Sequence, residues 1–349
     1  MDNKDEIYIK RCLQLAEYGR GSVSPNPMVG CVIVYKDRII GEGFHRKYGE
    51  AHAEVNAINS VKEKSLLAKS TLYVNLEPCS HHGKTPPCSD LIISKNIPRV
   101  VLASTDPNPL VAGNGIKKLQ DAGISVTQGV LNADAEFFNR RFYTFYKKKR
   151  PYIILKYAKS ADGFIDHERT KKHPHPAWIT NDYCKMLVHK WRTEEDAFMV
   201  GTRTVMLDNP QLTARMWPGK NPLRISLDEF NVIEKTVHLL DNSTPTLIFT
   251  SEKKTQQKNI DFEKINFTKS VVQQILDVLY KRKIQSLVVE GGHDLLQSFI
   301  DENMWDEAKV FTGDIVFGKG TPEPVLNGVL QSVDYYGNSE LRIFYPALA

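Results

Sequence analysis

No apolar run in this sequence approaches the roughly twenty residues needed to cross a bilayer, so no membrane-spanning segment is expected. Cysteine is scarce and odd in number: Cys12, Cys31, Cys79, Cys88 and Cys184. No apolar leader follows the charged Met-Asp-Asn-Lys-Asp-Glu start, so these cysteines do not read as a disulfide framework. Metal ligation for some and burial for the rest is expected, in a cytoplasmic protein. No basic helix or arginine-rich run concentrates the net charge of +5, a small excess of 46 Lys and Arg over 41 Asp and Glu. That distribution predicts no nucleic-acid partner, and a mild positive bias suits an anionic small molecule. There is no internal repeat, no low-complexity tract, and no G-x-G-x-x-G with an acidic residue at Rossmann spacing.

What is present is a soluble globular composition, 41% apolar and 25% charged, over 349 residues. That length predicts two domains, each able to bury a core. In the first, periodicity gives a helix over 5–18 and strands over 29–35 and 38–44 joined at Lys36-Asp37. A helix from about Ala51, a strand over 71–76, a helix from Pro87 or Cys88, and strand, helix and strand over 100–127 follow. Lys147-Lys148-Lys149-Arg150-Pro151 reads as a charged, proline-ended connector, which divides the chain into 1–146 and 147–349. The pattern then restarts with strands over 152–158, 196–201, 223–227, 246–250 and 286–290, and helices over 181–191 and 202–207. Strands alternating with helices predict α/β domains.

The chemistry concentrates in two short segments. His52-Ala53-Glu54 and Glu77-Pro78-Cys79, with Cys88 nine positions on, supply a histidine, two cysteines and a carboxylate. A hydrolytic zinc needs three protein ligands and one open position, and zinc deaminases use an H-x-E and a later proline-cysteine motif. His52, Cys79 and Cys88 are the expected ligands of one zinc per chain, and Glu54 the expected proton shuttle. A two-residue separation does not put His52 and Glu54 on one helix flank, so the metal must sit off the helix N-terminus. Cys88 at the next helix start would have its thiolate stabilised there. His81 or His82 could instead complete four ligands and close a structural zinc.

The stretch Cys79-Ser-His-His-Gly-Lys-Thr-Pro-Pro-Cys88 spreads the cysteine pair far beyond C-x-x-C. With Ser24-Pro-Asn-Pro-Met-Val-Gly30 and Asp106-Pro-Asn-Pro-Leu-Val-Ala-Gly113, it resembles the bifunctional deaminase/reductase family of riboflavin biosynthesis. The resemblance implies a cytidine-deaminase-like three-layer α/β/α domain followed by a dihydrofolate-reductase-like α/β domain. It implies a phosphorylated pyrimidine substrate, with Lys84 and Thr85 on the phosphate and Asn26, His45, Asp106 and Asn108 around base and ribose.

In the second half, Val200-Gly-Thr-Arg-Thr204 and Glu290-Gly-Gly292 are strand ends reaching helix starts through glycine, natural phosphate cradles. Together with Lys156-Tyr-Ala-Lys-Ser-Ala-Asp-Gly163, Trp178-Ile-Thr180 and Asp208-Asn-Pro-Gln-Leu-Thr-Ala-Arg215, they resemble the family's reductase domain. That likeness implies NADPH bound by Ala158, Trp178, Thr204, Asp208, Gly291 and Gly292. It implies substrate near Lys156, Arg192, Leu212, Arg215 and Glu290. The sequence departs from the family at Pro176, where a serine is usual, and in a longer, more basic segment over 169–176. Two other readings compete: a nucleic-acid-editing deaminase with an appended binding domain, and a closed zinc module fused to a regulatory nucleotide-binding domain. A homo-oligomer is compatible with all three.

Overall fold

The computed structural model describes residues 3–80, 86–109, 111–170 and 175–347. The chain divides into two compact units, at Lys149 and Arg150. The first contains helix α1 (Asn3–Glu17), strands β1 (Gly30–Tyr35) and β2 (Arg38–Phe44), α2 (Ala53–Ser60), β3 (Thr71–Leu76), α3 (Cys88–Ser94) and β4 (Arg99–Ser104). It is completed by α4 (Asn114–Asp121), β5 (Ser125–Thr127), α5 (Asn132–Phe138) and α6 (Arg140–Lys148). Its sheet runs β2-β1-β3-β4-β5, antiparallel over the first three strands and parallel from β3 to β5.

Strand alternation divides the apolar residues between two faces. Cys31, Ile33, Leu72, Val74, Val100 and Leu102 pack with α2, α3 and α4 through Ala57, Ile92 and Leu119. Val32, Val34, Tyr73, Val101 and Ala103 pack on the other face with Ile9 and Cys12 of α1 and Ala135 of α5. This is the three-layer α/β/α sandwich. Lys36 and Asp37 both have positive φ, 47° and 60°, as the tight hairpin between β1 and β2 requires.

The second unit has β6 (Tyr152–Lys159), β7 (Phe164–His167), α7 (Asp182–Glu194), β8 (Ala197–Val200), α8 (Thr202–Asp208), β9 (Leu223–Asp228), β10 (Thr246–Thr250) and β11 (Ile260–Lys264). Then come α9 (Val271–Lys281), β12 (Ser286–Glu290), α10 (His293–Asp301), β13 (Glu307–Thr312), β14 (Gly320–Pro322), β15 (Gly328–Tyr336) and β16 (Ser339–Pro346). Nine strands order as β11-β10-β9-β8-β12-β6-β13-β16-β15, parallel up to β13 and antiparallel in the final hairpin. Ile153, Leu155, Met199, Phe249 and Val289 face α9 and α10, whereas Ile154, Phe198, Val200 and Val288 face α7 and α8. This is the dihydrofolate-reductase-like α/β unit.

The basic run read as a connector is partly helical, since Lys147 and Lys148 form the last turn of α6 and Lys147 pairs with Glu136 at 2.7 Å. Burial of Phe142, Tyr143 and Phe145 carries that helix up to the basic run. Among the described residues no helix is long and apolar enough to cross a membrane.

Candidate functional site

In the first unit α2 begins at Ala53, not Ala51, with His52 as its N-cap. His52 therefore leaves the extended backbone while Glu54 lies in the first turn, and both reach one point off the helix end. Cys79 follows β3 by a Glu-Pro turn, and Cys88 opens α3. His52 Nδ1 lies 3.4 Å from Cys88 Sγ and 3.6 Å from Cys79 Sγ. All three ligand atoms fall within 4.8 Å of one another. A tetrahedral ion with zinc–sulfur and zinc–nitrogen bonds of about 2.3 and 2.0 Å would hold such atoms about 3.6 Å apart, so the donor set fits zinc. The metal-capable cluster among the described residues has three members, His52, Cys79 and Cys88. His81 and His82 lie outside the described residues, as do Lys84 and Thr85.

Sharing of protons distinguishes the two sulfurs. The Cys88 thiol, His52 and the Cys88 backbone N–H, 3.3 Å away, all donate to Cys79 Sγ and hold its pKa well down. Cys88 is pushed up by the neighbouring sulfur and by burial. The Cys88 backbone N–H at the start of α3 thus points to Cys79 Sγ. Both sulfurs lose their protons on binding a metal. Burial raises Glu54, while His52 pulls it back.

A pocket of about 280 Å³ opens beside the cluster, lined by Asn26, His45, Glu54, Asp106 and Asn108 with Phe142 and Tyr146. His45 Nδ1 faces the Ala51 carbonyl at 3.1 Å and Nε2 faces Asn26 Nδ2 at 3.1 Å. Burial lowers its pKa, so a neutral ring donates to Ala51 and accepts from Asn26. Asp106 is pushed up to about 7 by burial, assisted by the negative charges of Glu77 and Cys79. Near neutral pH its carboxyl can therefore both donate and accept. Phe142 and Tyr146 did not emerge as site residues from the sequence. Their signal was the aromatic face of α6, hidden by reading the following lysines as a linker.

In the second unit a cleft of about 850 Å³ runs along the carboxyl ends of the parallel strands, where open α/β sheets bind ligands. Lys156, Ala158, Trp178, Thr204, Asp208, Glu290, Gly291 and Gly292 all line it. Gly291 and Gly292 have φ of 68° and 85°, and a Cβ on Gly292 would stand 3.4 Å from Thr204 Oγ1. The two glycine-led helix starts therefore face one another. Trp178 is largely exposed, with Lys185 Nζ 3.9 Å from its ring. Asp208 is paired with Arg169, which also holds Asp166 at 2.7 Å.

Glu290 joins Arg192 at 3.1 Å and Lys156 at 3.6 Å. Burial alone would raise Glu290, but those two cations outweigh it and hold its pKa down. Glu290 Oε1, in the lining of the cleft, is buried without a hydrogen-bond partner, and a ligand there would satisfy it. With the glycine cradle, these groups fit a dinucleotide and an anionic substrate. Arg192, Leu212 and Arg215 do not line the cleft. Leu212 is buried in the core beneath α7, and Arg215 is exposed with Nη1 on Thr213 Oγ1 at 2.9 Å.

Comparison with known proteins matches both halves. Residues 2–104 match the cytidine and deoxycytidylate deaminase zinc-binding region, and 151–340 match the RibD C-terminal domain. The riboflavin biosynthesis protein RibD of Bacillus amyloliquefaciens is 39% identical over 92% of this chain and 87% of its own. That of Aquifex aeolicus is 40% identical over 90% and 88%. A solved Thermotoga maritima structure, a diaminohydroxyphosphoribosylaminopyrimidine deaminase/5-amino-6-(5-phosphoribosylamino)uracil reductase, superimposes with a TM-score of 0.89. It is 37% identical and covers 99% of both chains. The appended half is thus matched by a reductase domain, which removes the basis for a nucleic-acid-editing enzyme. The chain belongs to the RibD family of riboflavin biosynthesis, bifunctional enzymes joining a zinc-dependent deaminase to an NADPH-dependent reductase.

Proposed function

We propose that this chain deaminates a diaminohydroxyphosphoribosylaminopyrimidine and then reduces the ribosyl group of the resulting aminouracil to ribityl, as the Thermotoga relative's activities imply. The observation that carries the first step is the triangle of His52 Nδ1, Cys79 Sγ and Cys88 Sγ beside the buried Glu54 carboxyl. These three residues would hold zinc, which when bound makes water a nucleophile near neutral pH. Glu54 takes a proton from the water and delivers it to the departing amino group as ammonia forms. Asn26, His45, Asp106 and Asn108 orient the pyrimidine and ribose, with Asp106 able to bond either a donor or an acceptor edge.

In the second unit the Gly291-Gly292 turn and Thr204 would receive NADPH, which supplies the hydride. Lys156 and Glu290, the latter held by Arg192, form the polar floor on which the sugar phosphate is oriented. Arg215 stands on the loop after Pro210, where a phosphate arriving from the cleft mouth would draw its guanidinium inward. The test follows ammonia and NADPH together on the purified protein. Ammonia release needs no NADPH, whereas NADPH oxidation begins only after deamination. NADPH consumption by the undeaminated substrate would refute the order, and no ammonia release would refute the function.

A homo-oligomer is supported by β15, the last strand of its sheet, which exposes Val329, Leu330, Val333 and Tyr335. Light scattering on the purified protein, with Val333→Lys as comparison, tests it. A cytoplasmic location suits five cysteines that form no disulfide.

A further inference from the structure

Glu77 is only 3% exposed and has no part in the proton transfers above. Four backbone N–H groups converge on its carboxylate. Asp106 and Gly113 donate to Oε2 at 3.3 and 3.0 Å, and Gly115 and Ile116 donate to Oε1 at 2.9 and 3.2 Å. Its own N–H donates to the Ser104 carbonyl at 2.9 Å. Gly115 and Ile116 open α4, whose N-cap, Gly113, has no side chain with which to cap it. A remote carboxylate therefore does the capping and meets the positive end of the helix. The contact is close enough to dictate composition: a Cβ on Gly115 would lie 2.0 Å from the Pro78 carbonyl oxygen.

The Glu77-Pro78-Cys79 turn is thus locked to the start of α4, and Asp106 is fastened to the same carboxylate. Asp106 in turn accepts from the Asn108 N–H at 2.8 Å. We propose that Glu77 is a positioning residue of the deaminase: one buried anion fixes the separation between the metal ligand Cys79 and the Asp106–Asn108 wall of the substrate pocket. The proposal rests on the reading of that pocket as the aminopyrimidine site.

Glu77→Gln keeps the shape but turns an NH2 group toward backbone donors. Zinc content, measured by chelator colorimetry, should stay at that of wild type. KM for ammonia release should rise about tenfold, with kcat changing about twofold or less. Because Glu77 acts through Asp106, Glu77→Gln should add almost nothing to KM in an Asp106→Ala background. Gly113→Ala strains the same junction at φ 76° with Glu77 intact; it should give the same KM-dominated loss and carries the test if Glu77→Gln does not fold. An unchanged KM, additive effects with Asp106→Ala, or zinc loss in step with activity each overturns the assignment. Wild-type protein inactive on the phosphoribosylaminopyrimidine would remove the underlying reading instead.

Discussion

The two sites occupy the same kind of place and are built in opposite ways. Each lies at the carboxyl ends of parallel strands, off helix starts. The deaminase cluster draws its chemistry from two short segments, 52–54 and 79–88, because a metal gathers ligand atoms within a few ångströms and local spacing can deliver them. The reductase cleft gathers Lys156, Thr204 and Glu290 from three distant elements, because an extended ligand needs contacts spread along a sheet edge. One site is specified by motif, the other by topology. A single substitution in the first should therefore abolish one chemistry cleanly, whereas substitutions in the second should act through shared charge and packing.

The sharpest separation is expected from Glu54→Gln. Loss of the shuttle should lower ammonia release by about a thousandfold. Zinc content and NADPH oxidation on previously deaminated substrate should remain at wild-type levels. Loss of both activities together would break the comparison, because the deaminase site would then not be self-contained. Next in size is Glu290→Gln, which leaves Lys156 and Arg192 beside one another without their counter-charge. Without that counter-charge the Lys156 ammonium at the cleft is no longer held in place, and reductase kcat/KM should fall about a hundredfold while ammonia release is unchanged. A loss of tenfold or less would mean that the cations are held by other groups.

The same contrast explains what could be read from the sequence. His52, Glu54, Cys79 and Cys88 were legible because their chemistry and spacing are jointly rare. β3 and β10 were legible to the residue, since continuous apolar runs end at turn formers. The final hairpin was not: β15 is exposed along almost its whole length, so no alternation marks it. Helix α4 was expected within 100–127, but nothing in the sequence marks its start at Asn114. Its cap comes from Glu77, and no local pattern reports a remote cap. Phe142 and Tyr146 were missed because a charged run masked the helix that carries them. Arg224 was missed altogether. It is fully buried and donates to the carbonyls of His238, Leu239 and Thr244 and to Asp241, and no motif surrounds it.

Arg224 gives the third prediction, on stability. Arg224→Met fits the volume but removes the guanidinium's bonds to three carbonyls and its ion pair with Asp241, which should cost about 3 kcal/mol. The loss should appear as a lower urea midpoint for reductase activity, with zinc binding undisturbed. An unchanged midpoint would show that water replaces the guanidinium at no cost and that the second unit depends less on dispersed polar contacts than the comparison holds.

The smallest effect expected is a pH dependence specific to the second unit. His189, on α7, accepts from the backbone N–H of Arg215 at 2.9 Å and of Met216 at 3.4 Å through Nδ1. Burial, then the Arg192 and Arg215 cations, lower its pKa from 6.5 to about 4, with Glu290 opposing weakly. The unfolded chain thus binds the proton first as pH falls. Stability should be flat above about pH 7, decline through the window between 6.5 and 4, and lose at most about 3 kcal/mol below it. His189→Gln retains an acceptor for the loop but does not titrate, so it should flatten that decline while keeping Arg215 in place. Hydrogen exchange of peptides spanning 182–217, compared at pH 7.5 and 5, reads the effect with correction for intrinsic exchange rates. If wild type and variant lose protection equally, the decline belongs to the carboxylates of the ion-pair network. The second unit would then be tuned by Glu290 and its partners alone.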